Sequence, residues 1–260
     1  MGPRVSRVIL GTRDAAIHAG DRALVAALTL EVRSGEFIAM LGLNGAGKTL
    51  TLHTLAGLRP PASGHITLDG KVIGAAGRRY VAQRVGVLMQ DLESAYPTSA
   101  LESVLIGRHP HLAAWQWESE ADYRIARAML ARVGLGSVAN RSTATLSGGE
   151  QRRVAMAALL AQEPQVFLLD EPTNHLDPHH QLQILNVFRE QTHTGRAVVA
   201  TLHDPTIAAR YADRVLLLHG DGNWTCGATH EVLTATNLSG LYLTRIAESS
   251  IEGRRVFVTS

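Results

Sequence analysis

Apolar residues along the chain follow two different rhythms. Phe37 to Leu41, Val166 to Leu169 and Ala197 to Thr201 are short, almost unbroken apolar runs, the pattern of strands covered on both faces. Other stretches space their apolar residues three and four apart. Leu52, Leu55 and Ala56 predict a helix over 48–58, stopped by Pro60-Pro61, and Ile125, Ala128, Met129 and Val133 predict another over 121–133, closed by Gly134. Strand and helix alternate without an internal repeat, which predicts an α/β fold around a mainly parallel sheet. From about 92 to 141 the pattern is helical without strong strand signals, as a helical insertion between core strands would be. The polar residues that close two of the strand runs, Asp170 and Thr201, are expected to face a ligand, because a parallel sheet presents its chemistry at its strand ends.

Composition narrows the function classes. The 260 residues, 45% of them apolar, suit one large domain or two small ones. With 25 basic against 23 acidic residues the net charge is only +2, and no basic stripe of a polyanion binder is visible. Cys226 is the single cysteine, so no internal disulfide can form, which suits a reducing compartment. The longest apolar runs, 24–30 and 154–161, fall well short of the roughly 20 residues a membrane-spanning helix needs. Val8 to Leu10 is likewise too short for the apolar region of an export signal. Met1 to Ser6 fits a loose myristoylation pattern and is expected to do so by chance. The glycosylation triplets at Asn140, Asn223 and Asn237 carry no meaning without secretion.

Candidate chemistry is concentrated in two places. Gly42-Leu43-Asn44-Gly45-Ala46-Gly47-Lys48-Thr49 matches the phosphate-loop pattern G-x-x-x-x-G-K-S/T, between a predicted strand and a predicted helix. Glycines let successive N–H groups point inward at phosphate oxygens, and the following helix adds its positive end. Lys48, one of only two lysines, would reach the β and γ phosphates, and the Thr49 hydroxyl would bind Mg²⁺. By itself the pattern could also be a glycine-rich turn. The second place is Val166 to Glu171, an apolar strand ending in two carboxylates. Asp170 would hold Mg²⁺ and Glu171 would orient or deprotonate the attacking water, since phosphoryl transfer needs positioning and charge neutralisation. Without the loop, those acids would read equally well as a solvated turn before Pro172.

Leu146-Ser147-Gly148-Gly149-Glu150 followed by Gln151-Arg152-Arg153 resembles the signature motif of ATP-binding-cassette (ABC) ATPases. Gln90, in Val87-Leu88-Met89-Gln90-Asp91, is similar to that family's Q-loop, Asn174-His175-Leu176-Asp177 to its D-loop, and His203 to its switch histidine, all in the family's order. The resemblance covers 5–258. It implies a P-loop NTPase of the ABC-ATPase fold: one domain with its core at about 5–90 and 156–240, a helical subdomain at about 91–155, an N-terminal antiparallel β part and a short C-terminal extension over 241–260. It implies ATP binding by Gly42, Leu43, Asn44, Gly45, Ala46, Gly47, Lys48, Thr49 and Leu50, catalysis by Glu171, His203 and Lys48, and Mg²⁺ held by Thr49, Gln90 and Asp170. Ser147, Gly148, Gly149 and Glu150, with a helix beginning near Gln151, would close over ATP held by the partner subunit, and Asp177 would lie in the D-loop. Two ATP molecules are then sandwiched in a head-to-tail homodimer. His175, Asp177, His179 and His180 resemble a metal cluster by residue type, but the D-loop reading accounts for Asp177 and metal binding is not expected.

Pro97 to Val104, Gly107-Arg108-His109-Pro110-His111, the stretch from His203 to Arg214 and the tail from Leu233 to Val258 resemble importers of iron-siderophores, haem and cobalamin. That implies a peripheral subunit on the cytoplasmic face of the inner membrane, docked beneath two copies of a transmembrane permease. A periplasmic or lipid-anchored substrate-binding protein would complete the system, and no nucleic acid would be bound. An ATPase of another ABC transporter class, or a soluble cassette protein acting on ribosomes or DNA, would share the same motifs. The sequence departs from the family where an aromatic residue usually stacks on adenine: the register gives Ala19, beside His18. Leu50 also replaces the common Ser or Thr after Thr49.

Overall fold

The structure is a computed structural model that describes residues 7–90, 98–174 and 176–259. Met1 to Ser6, Asp91 to Pro97, His175 and Ser260 lie outside the described residues, and with them the myristoylation pattern and single positions of the Q-loop, D-loop and importer-like motifs.

Strands β1 (Val8–Ala19) and β2 (Arg22–Arg33) pair antiparallel. The chain crosses into the core as β3 (Phe37–Gly42), turns into α1 (Lys48–Leu55), and returns beside β1 as β4 (Ser63–Leu68) and β5 (Lys71–Val72). The first sheet therefore has the order β2-β1-β4-β5, all antiparallel. After α2 (Arg78–Ala82) and β6 (Val85–Leu88) come three helices in succession, α3 (Ala100–Leu105), α4 (Glu120–Arg132) and α5 (Gly148–Ala161). Then β7 (Val166–Leu169), α6 (Pro178–His193), β8 (Ala197–Thr201), α7 (Pro205–Tyr211), β9 (Arg214–Leu218) and β10 (Trp224–Ala228) complete a second sheet. Its order is β10-β9-β3-β8-β7-β6, parallel throughout except for β10. The expected α/β fold with an antiparallel N-terminal part is thus present.

Alternation along the central strands explains why they are apolar on both sides. Phe37, Ala39, Leu41, Phe167 and Leu169 pack with the helices, whereas Ile38, Met40, Val166 and Leu168 pack towards the first sheet and α1. Phe167 meets Phe188 of α6 edge to face at 5.4 Å between ring centres.

Helix boundaries differ from the sequence expectation in two places. Helix α1 ends at Leu55 rather than 58, because Gly57 turns the chain at a φ of +72°. Helix α5 starts at Gly148 rather than near Gln151: the Ser147 hydroxyl accepts a hydrogen bond from the Glu150 amide, and the Glu150 side chain accepts one from the Ser147 amide. Ser99 and Ser119 cap α3 and α4 in the same reciprocal way.

The tail comprises α8 (Thr229–Val232), α9 (Ala235–Tyr242) and the hairpin β11 (Ile246–Ile251) with β12 (Arg254–Thr259). The hairpin is anchored on α7, where the Phe257 amide donates to the Thr206 hydroxyl at 3.1 Å and the Phe257 side chain is buried.

Candidate functional site

The loop between β3 and α1 curls because Gly45 and Gly47 adopt φ of +79° and +97°, values a side chain would strain. Helix α1 therefore starts at Lys48 with its first amides turned towards the loop. The Lys48 ammonium folds back, donating to the Gly42 carbonyl at 2.8 Å and the Leu43 carbonyl at 3.1 Å. Burial pulls its pKa below the usual lysine range, against the opposing pull of Glu171 and Asp170.

In front of the loop lies a cavity of about 560 Å³. Asn44, Gly45, Gly47, Lys48, Thr49 and Leu50 line one side, and Gln90, Glu171, Asn174 and His203 line the other. Ala19 and Leu24 also line it, so where the family pattern puts an aromatic ring this chain has a methyl group. Gly42 and Ala46 are not in the wall. Gly42 ends β3, and Ala46 is buried, with its Cβ against Gly220. Leu43 is part-exposed outside it.

The strand ends β7 and β8 place the carboxylates. Asp170 is buried; its Oδ1 accepts from the Thr201 hydroxyl at 2.8 Å, while Oδ2 has no hydrogen-bond partner. Such an orphaned buried oxygen, together with the oxygens of Thr49 and Gln90, is a donor set that suits a hard divalent cation. Thr201 does not face a ligand as expected. It is fully buried, and its hydroxyl also accepts from the Glu171 amide at 2.7 Å.

Glu171 has a φ of +47°, an unusual conformation for a side chain of its size. Its surroundings impose it. The amide is held by Thr201, and the carbonyl accepts from Arg152 at 2.9 Å. The carboxylate lies 2.7 Å from His203 Nε2 and accepts from the Asn174 side-chain amide. Arg152 is buried and fork-shaped: the same guanidinium donates to the carbonyls of Asp170, Met89 and Gln90, so helix α5 grips both the β7 end and the residues before and at the Q-loop. Arg152 and the amide of Asn174 were not singled out from sequence, although both sit inside quoted motifs; Thr201 was recognisable as the polar residue closing β8.

Ser147, Gly149 and Glu150 are elsewhere. With Arg153, Leu176, Asp177 and His180 they line a second cavity of about 480 Å³ that shares no lining residue with the first. Asp177 caps α6 through the His180 amide at 3.0 Å and meets the His180 ring at 2.7 Å. Hydrogen bonds from Ser147 hold the Glu150 carboxyl below its usual pKa, and those from His180 do the same for Asp177. One chain therefore carries a phosphate loop with its acid and histidine around one cavity, and the start of α5 with its glycines at another.

The chain is similar in sequence and fold to known proteins. The family model described as "ABC transporter" matches residues 25–174. The ferric enterobactin transport ATP-binding protein FepC of Escherichia coli is 38% identical over 217 residues, covering 83% of this chain and 80% of FepC. The hemin import ATP-binding protein HmuV of Thermobifida fusca is 38% identical over 235 residues, 90% of this chain and 82% of HmuV. An ABC transporter solved in an inward-facing conformation and described as of the metal-chelate type superposes with a TM-score of 0.85 at 27% identity, covering 98% of each chain.

Proposed function

The chain belongs to the ABC transporter family and is one of its ATPases, and from that premise we propose that it powers import of a metal chelate through a separate membrane permease. The observation that carries this reading is the single cavity shared by the phosphate loop, Gln90, Glu171, Asn174 and His203. The chelate class follows from the named cargoes of the relatives, ferric enterobactin and hemin.

ATP enters with its phosphates on the loop amides and Lys48. Lys48 leaves the Gly42 and Leu43 carbonyls for the β and γ oxygens, where its charge offsets that of the transferring phosphoryl group. Glu171 takes a proton from the attacking water. The new oxygen–phosphorus bond forms at the γ phosphorus as the β–γ bridging bond breaks, and ADP leaves with the electron pair. His203, now paired with Glu171, stabilises charge on the γ-phosphoryl oxygens. Mg²⁺ would supply charge neutralisation for the phosphates, and Thr49, Gln90 and Asp170 would hold it.

The separation of the two cavities supports a head-to-tail homodimer in which Ser147 and its glycines cover the γ-phosphate held by the other chain. No helix among the described residues is long and apolar enough to cross a membrane, so a permease is needed for transport. An apolar groove of about 440 Å³ between α3 and α5, lined by Met89, Ile106, Pro110, Val154 and Ala155, offers that permease a place to dock next to Gln90. Two permease copies, a periplasmic or lipid-anchored binding protein, and a position at the cytoplasmic face of the membrane complete the proposal.

Glu171→Gln tests it. The variant is expected to bind ATP and dimerise while losing about 100-fold or more of its turnover. Hydrolysis near the wild-type rate would remove Glu171 from its assigned role.

A further inference from the structure

A charged guanidinium is costly to bury unless its donors are satisfied, and Arg152 of α5 is only 4% exposed. Its fork divides its donors between two segments. Nη1 donates to the carbonyls of Met89 and Gln90 at 2.5 and 2.8 Å, and Nη2 to those of Asp170 and Glu171 at 2.5 and 2.9 Å. Strands β6 and β7 run parallel with Leu88 beside Leu169, and the Asp170 amide donates to the Leu88 carbonyl at 2.9 Å. From there the two chains lead to Gln90 and Glu171, which both line the phosphate-loop cavity. Past the end of the strand pairing, one side chain continues the tie between them.

The same contacts bear on the strained acid. Glu171 keeps a φ of +47° because its neighbours hold it there, Arg152 at the carbonyl and Thr201 at the amide. Arg152 is not in the cavity wall, so what it governs is the placement of residues that are.

We propose that Arg152 is a positioning residue for ATP hydrolysis, seating Glu171 and Gln90 of its own chain together. On the ATPase reading above, those two residues act on one nucleotide, so a base and a Q-loop set by the same guanidinium are in place together or displaced together. Arg152 thereby serves the site of its own Lys48, although the helix that carries it begins at the cavity of Ser147.

Arg152→Met keeps an unbranched stem and removes the donors. In the full-length protein its kcat for ATP should fall about 100-fold, the cost of a reacting group displaced by about 1 Å, while KM and the affinity for a non-hydrolysable ATP analogue stay within about threefold. Arg152→Lys, whose single ammonium cannot serve both segments, should lose about tenfold, and it carries the test if Arg152→Met does not fold. Hybrid dimers separate positioning from a general defect of α5. When a Lys48→Ala chain is mixed with a Ser147→Arg chain, only the hybrid has a working site, formed by Lys48 of the second chain and Ser147 of the first. Adding Arg152→Met to the Ser147→Arg chain, which supplies Lys48 and Glu171, should remove the recovered activity. Adding it to the Lys48→Ala chain should spare most of it. The reverse pattern, an equal loss from either chain, a kcat of either single variant within about twofold of wild type, or a fall in analogue affinity as large as the fall in kcat would each overturn the assignment. No hydrolysis by the wild type would instead overturn the ATPase reading. No recovery in the unmodified mixture would overturn the dimer, and the kcat and affinity of the single variants would still decide the role of Arg152.

Discussion

At Glu171 the chain is held in a conformation it would not choose alone. Thr201 fixes the amide, Arg152 the carbonyl, and His203 with Asn174 the carboxylate. The Thr201 hydroxyl serves both acids at once, so replacing it by a methyl group orphans a buried amide and a buried carboxylate oxygen together. Thr201→Val is expected to lose about 1–3 kcal/mol of stability in urea titration. Its kcat should fall by more than its KM changes, and Thr201→Ser should restore both, because only the hydroxyl is needed. Residues that bear a motif were legible in the sequence; those that hold the motif residues in place were not. Arg152 works through the carbonyls of Met89, Gln90, Asp170 and Glu171, and no spacing rule marks a side chain aimed at a distant carbonyl; Thr201 stood out as the polar end of β8, but not its bonds to the two acids.

Elements were legible where burial sets their period. The strands 37–41, 166–169 and 197–201 stand within a residue of their expected bounds because each is covered on both faces. Helix α5 was placed three residues late, since Gly148 to Gln151 offers no apolar residue to a periodicity reading while the Ser147–Glu150 capping pair that starts the helix is polar. The segment from about 92 to 141 was read as helical, but in its described part the short helices and three-residue turns are set by Ser caps and by tertiary partners such as Arg108, which bridges Asp122 and Glu163. Hydrogen bonds from Ser119 and then Arg108 lower the Asp122 pKa to about 2. The unfolded chain titrates near 3.9, so the folded state binds this proton less tightly. Stability from Asp122 is therefore complete above about pH 4 and disappears as pH falls through about 2. Chemical denaturation of wild type and Asp122→Asn should show a stability gap at pH 7 that narrows between those limits.

For the whole molecule, the feature that matters is that the phosphate-loop cavity and the Ser147 cavity share no lining residue. In the proposed dimer each ATP meets Lys48 of one chain and Ser147 of the other. A Lys48→Ala chain and a Ser147→Arg chain should each be inactive alone. Mixed in equal amounts, half of the dimers are hybrids with one intact site of two, so activity should return to about a quarter of wild type if the sites turn over independently. No recovery on mixing would mean that the two surfaces do not meet. The hairpin β11–β12 adds a final consequence. It braces α7, which begins two residues after His203, through Thr206 and the buried Phe257. A protease that trimmed the chain after Leu243 would take Ile246 and Phe257 out of the core, so it should lower the melting temperature and loosen α7 beside His203 together, and damage at the far terminus would reach ATP turnover.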